Sequence, residues 1–151
     1  LWLVTLFTLG HSLSLGLAAF EIVEISSDLI EFLIPLTIFI TAVINLFTAK
    51  KTSKGKENIN LVFALFFGLI HGLGFSNYFK MMIGQEEDKV LPLLEFALGI
   101  EAAQVITVLS ILSLGFFFQN VFNVNRRDWI LVFSSIVIGF SIQMMIDSVF
   151  W

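Results

Sequence analysis

The chain has 151 residues, of which 58% are hydrophobic and 13% charged, with a net charge of −4 and no cysteine. A water-soluble domain would carry roughly 45–50% apolar and about 25% charged residues, so the soluble globular class is excluded. The lack of cysteine removes disulfides, thiolate metal sites and thiol catalysis. The apolar residues fall in long unbroken runs rather than the alternating segments of a transmembrane β-barrel. The expected fold is all-α: a polytopic transmembrane helix bundle, one domain over 1–151.

The first span covers about residues 1–20. It starts inside an apolar run with no initiator Met, so the expectation is that an upstream helix is missing and that the full-length protein has six spans. Thr8, His11 and Ser12 share about a third of the helix circumference and form a polar stripe. Glu21, Glu24, Asp28 and Glu31 then make an acidic connection.

The second span, about 29–47, carries Pro35 near its start and Thr37, Thr41 and Asn45 on one face. These three suit bonding between helices or to their own backbone. A basic stretch follows, with Lys50, Lys51, Lys54 and Lys56. The third span, about 58–79, holds His71 among Gly68, Gly72 and Gly74. An ionisable residue in a span is costly and tends to face a bundle interior or polar cavity. Gly68 and Gly72 are four apart and would let another helix come close.

After the acidic stretch Gln85-Glu86-Glu87-Asp88, the fourth span runs over about 92–118 and contains Glu95, Glu101 and Gln104. The fifth, about 129–151, is bracketed by Trp129 and Trp151 and contains Gln143 and Asp147. Six of the eight basic residues lie in the loops at 48–58 and 119–128, which the positive-inside rule makes cytoplasmic. Five alternating spans put both loops on one side, in agreement.

At about 1.5 Å per residue, His11, His71 and Glu101 each lie roughly 14–18 Å from a span end, near the midplane of a core about 30 Å thick. Gln104 is one turn from Glu101 on the same face. Two imidazoles and a carboxylate at one depth suit a borderline divalent ion such as Ni²⁺ or Co²⁺. They would equally suit a proton relay. The plain alternatives stay open: each histidine could bond a neighbouring helix, and Glu101 could serve as one half of a structural pair. Glu95 and Asp147, closer to the surfaces, could be solvated caps or line a vestibule. No nucleotide-binding loop, serine-hydrolase elbow or His-Glu-x-x-His helix is present. No enzymatic activity and no nucleic-acid binding are expected.

Three stretches together resemble the HupE/UreJ family of bacterial membrane proteins, its second branch in particular. They are Phe7-Thr8-Leu9-Gly10-His11-Ser12-Leu13-Ser14-Leu15, Phe67-Gly68-Leu69-Ile70-His71-Gly72-Leu73-Gly74-Phe75 and Phe96-Ala97-Leu98-Gly99-Ile100-Glu101-Ala102-Ala103-Gln104. The family is similar to nickel/cobalt permeases and is associated with hydrogenase and urease maturation. The resemblance implies an inner-membrane nickel or cobalt permease, with His11, His71, Glu101 and Gln104 toward the metal. Thr8 lies on the same stripe, and Ser12, Gly68, Gly72 and Gly74 match as supporting positions. Where the family usually has Asn and Gly, this chain has Ala97 and Ala103. The family's Gly-x-Asp-His helix is not in this sequence. Two rival functions remain: a non-transporting accessory protein for metalloenzyme maturation, and a haem-binding electron carrier with the histidines as axial ligands. The lipid bilayer and a divalent ion are the expected partners; a second copy of the chain or a metallochaperone stays open.

Overall fold

The computed structural model describes residues 2–49, 57–84 and 88–149. The lysines at 50, 51, 54 and 56, the acids at 86 and 87, and Trp151 lie outside the described residues. A backbone in hydrocarbon must satisfy its own polar groups, and helices do this within one segment. Among the described residues there are five: α1 (Trp2–Ala19), α2 (Ser27–Thr48), α3 (Glu57–Ile83), α4 (Val90–Val121) and α5 (Arg126–Asp147). All five are long and apolar enough to cross a membrane, and there is no strand among the described residues.

The helices overrun the apolar segments that announce them. α3 continues to Ile83 rather than ending near residue 79, and α4 runs from Val90 to Val121. α5 starts at Arg126, so the loop expected over 119–128 shrinks to residues 122–125. The reason is that hydropathy marks where hydrocarbon ends, whereas a helix stops only where its terminal groups find other partners. Asn123 has φ 53° just past α4, where the Val124 N–H donates back to the Phe118 carbonyl at 3.4 Å. Glu21 plays the same part after α1, with φ 60° and an Ile22 N–H to Leu17 carbonyl bond of 2.9 Å. Pro35 sits well inside α2, buried, and the helix passes through it.

α1 and α3 run parallel and form the most extensive helix pair. Glycine is required here. A Cβ on Gly10 would meet the Leu65 carbonyl; one on Gly68 would meet that of Phe7; one on Gly72 would meet that of His11 and the Ser14 hydroxyl. Two backbones this close gain dispersion and weak Cα–H···O contacts, the main forces between helices in lipid.

Around this pair, α4 packs on α1, α2 on α3, and α5 on α2. α4 and α5 touch near their connection, where Gly115 and Phe118 meet Trp129. At the opposite end, Leu15, Ala19, Phe79 and Ile83 form a buried apolar cluster backed by Leu93 and Phe96. The Lys89 ammonium, at the head of α4, donates to the Ala19 carbonyl at 2.9 Å and lies 5.8 Å from the Phe20 ring. A cation at a helix C-terminus is favourable because it meets free carbonyls and the negative end of the helix dipole. The outward faces of α4 and α5 are studded with Leu, Ile and Phe, as lipid contact requires.

Candidate functional site

His11 is carried to the centre of the bundle by the close approach of α1 to α3. It is 2% exposed, and neither Nδ1 nor Nε2 has a hydrogen-bond partner. Its surroundings are aromatic: the rings of Phe75 at 5.5 Å, and Phe7 and Phe96 each at 6.2 Å. Ser12 Oγ is also buried without a partner. A buried polar atom left unpaired costs about 1–3 kcal/mol, and such an atom calls for an explanation.

His71 is half-buried on α3. Its Nδ1 lies 2.8 Å from the Phe67 carbonyl one turn back, which fixes the ring and leaves Nε2 as the outward nitrogen. Phe7 meets the His71 ring edge-on at 5.1 Å. One aromatic ring thus touches both imidazoles.

Both histidines line a cavity of about 780 Å³ bounded by α1, α2, α3 and α4. Gln104, Thr107, Thr41, Asn45 and Asn60 supply its other polar groups, and Phe7, Phe63, Phe67, Phe75 and Ile100 its apolar wall. The cavity reaches from His11 and Phe75 to Asn45 and Asn60, which lie about one turn from the helix ends at the α2–α3 connection. At the other end the cluster of Leu15, Phe79 and Phe96 closes the bundle. That end of the chamber is therefore closed.

Glu101 stands apart from this chamber. Its Oε1 accepts from the Thr5 hydroxyl at 3.1 Å, and it is not on the cavity wall. Gln104 is on the wall, and its Oε1 accepts from Thr8 at 3.2 Å. Thr5 and Thr8 thereby hold α4 against α1. Among the described residues, no three His, Cys, Asp or Glu side chains converge closely enough to hold a metal ion. Two imidazoles and an amide are thus presented together, and the carboxylate is held one helical turn away by a threonine. Equal depth on three helices does not set the direction in which each side chain points. Neither Glu95 nor Asp147 lines the cavity; both are exposed, and Asp147 accepts from Gln143 at 3.0 Å.

Gly74 faces a different neighbour from Gly68 and Gly72: a Cβ there would meet the Ile34 and Ile30 side chains of α2. The sequence reading of a glycine-lined contact thus divides into two, α1 on one side of α3 and α2 on the other. It missed Thr5, Phe7 and Gly10, whose roles depend on partners far away in the chain. The sequence signal for Phe7 is helical spacing: it lies four residues before His11.

A sequence profile described as HupE / UreJ protein matches residues 1–148. The chain belongs to the HupE/UreJ family. The match takes in all five helices and every residue of the histidine chamber. HupE/UreJ proteins are associated with nickel/cobalt transport or metalloenzyme maturation, a transporter and accessory family rather than an enzyme family. Neither the curated proteins nor the solved structures contain a match.

Proposed function

We propose that this HupE/UreJ protein is a divalent-metal permease of the bacterial inner membrane, with Ni²⁺ or Co²⁺ as its cargo. The observation that carries this reading is His11: an imidazole buried in an apolar bundle, with both ring nitrogens unpartnered, at the blind end of a chamber it shares with His71. Neutral imidazole is a good ligand for borderline divalent ions, and an ion is what an unpaired buried nitrogen lacks. Asn45, Asn60, Thr41 and Gln104 offer neutral oxygens between the chamber mouth and the histidines. They can replace part of an ion's water shell without trapping it as a carboxylate cage would. Glu101, held by Thr5 one helical turn from Gln104, is a carboxylate on α4 that could balance the charge of the cargo.

The positive-inside rule, applied to the basic residues of the sequence, supports a chamber mouth that faces the cytoplasm. On this reading the chamber corresponds to an inward-facing state, with the Leu15–Phe79–Phe96 cluster as the closed side. With no nucleotide-binding motif in the chain, transport would draw on the membrane potential or a coupled ion. Uptake of ⁶³Ni²⁺, repeated with Co²⁺, in cells lacking nickel uptake tests the reading. Uptake that disappears in His71→Ala at normal expression supports it, and no uptake of either ion sinks it. One observation favours the accessory role instead: no third acidic or histidine ligand joins the pair among the described residues. Metal retained by the purified protein without any flux would select that role. The haem reading predicts a Soret band from the purified protein, and a colourless folded sample removes it.

A further inference from the structure

A second cavity, about 460 Å³, lies against α5 and shares Phe7, Thr41, Asn45, Phe67 and His71 with the first. Its own wall is mostly apolar: Ile111 of α4 on one side, Ile38 and Ala42 of α2 on another, and Trp129, Ile130 and Val137 of α5. It lies where α4 and α5 part after their contact at Gly115 and Trp129. On α5 it runs from Trp129 to Val137, about 12 Å at 1.5 Å per residue. One leaflet of a core about 30 Å thick is roughly 15 Å deep. The groove therefore matches the depth of a single acyl tail entering from the Trp129 end.

That end is positively charged. Arg126 and Arg127 open α5 immediately before Trp129, both exposed. Neither makes an ion pair among the described residues, although Asp128 is next in the chain. Basic clusters at a membrane surface attract anionic headgroups, at about 1 kcal/mol for each Lys or Arg.

We infer that the groove between α2, α4 and α5 is a binding site for one anionic phospholipid, with its headgroup on Arg126 and Arg127 and an acyl tail alongside Trp129, Ile130 and Val137. The tail ends at Phe67 and His71, so the lipid forms the side wall of the histidine chamber on the α5 side. The inference rests on the membrane-spanning fold and not on the identity of the cargo.

Native mass spectrometry of the intact protein in mild detergent, titrated with phosphatidylglycerol and separately with phosphatidylcholine of the same chains, is the test. One phosphatidylglycerol should bind about thirty-fold more tightly than phosphatidylcholine, which is about 2 kcal/mol at 1.4 kcal/mol per tenfold. In R126Q/R127Q the two lipids should bind alike, because both arginines are exposed and their loss leaves the bundle intact. Filling the groove with Ser134→Leu should weaken both lipids, and if that variant does not fold the arginine pair still decides. Equal binding of the two lipids by the unaltered protein overturns the inference. So does a preference that survives in R126Q/R127Q, a response reproduced by glycerol phosphate alone, or a groove closed by a second copy of the chain. Metal uptake is not read in this experiment, so its failure leaves the permease reading untouched.

Discussion

Replacing Gly72 by alanine puts the α1–α3 contact to a direct test. The new methyl carbon would lie 2.9 Å from the His11 carbonyl carbon and closer still to its oxygen and to Ser14 Oγ. Carbon–carbon contacts are optimal at about 3.5–4.0 Å and the closer carbonyl oxygen sets a stricter limit, so the helices must part by about 1 Å or more. The obstacle is backbone, which cannot swing aside as a side-chain tip does. Overpacking typically costs 1–3 kcal/mol. Against it stands the helix propensity gained from glycine to alanine, about 0.8–1 kcal/mol. The balance is a destabilisation of about 0–2 kcal/mol, which leaves Gly72→Ala about 1–3 kcal/mol worse than the same change at an open site. Gly99→Ala is the control, since a Cβ there meets nothing within 4 Å; it should be neutral or more stable by up to about 1 kcal/mol. Both can be read from reversible unfolding in mixed micelles. Gly72→Ala matching Gly99→Ala in stability would refute the claim that backbone contact fixes the spacing of the two histidines.

Four further outcomes follow from the same geometry. His11→Leu removes two unpaired buried nitrogens and should raise the stability of the metal-free protein by about 1–3 kcal/mol while abolishing uptake; a loss of stability would show that His11 is a structural residue. Thr8→Val breaks the bond to Gln104 and should cost about 0.6 kcal/mol, the average for hydrogen bonds between membrane helices; a double-mutant cycle with Gln104→Leu measures the coupling, and zero coupling rejects the bond. Lys89→Ala should cost about 0.3–1 kcal/mol by uncapping α1, and unchanged stability would count against that cap. The chain has no cysteine, so single cysteines report cleanly: a charged thiol reagent should label a cysteine at Asn60 from the side of the α2–α3 connection and leave one at Phe79 unlabelled from either side. Labelling at Phe79 from the other side would contradict closure by the cluster of Leu15, Phe79 and Phe96.

Much of the bundle is written in local sequence. The five apolar runs set five helices, because a backbone in hydrocarbon has no other way to pair its polar groups. The helices run on past the apolar stretches at places such as Arg126 and Ile83. His11, His71 and Gln104 stood out because a polar group in a span is expensive and needs a reason. Their meeting at one cavity depends on something the spacing does not encode. The α1–α3 contact requires Gly10 to face Leu65 while Gly68 and Gly72 face Phe7 and His11, a match between segments about sixty residues apart in sequence. Glu101 shows the same limit from the other direction: its depth follows from counting residues, but its rotation toward Thr5 is set by how α4 leans on α1. Rise per residue is a property of the chain alone, so depth is legible from sequence. The direction in which a side chain points depends on helix crossing and rotation, which neighbours decide.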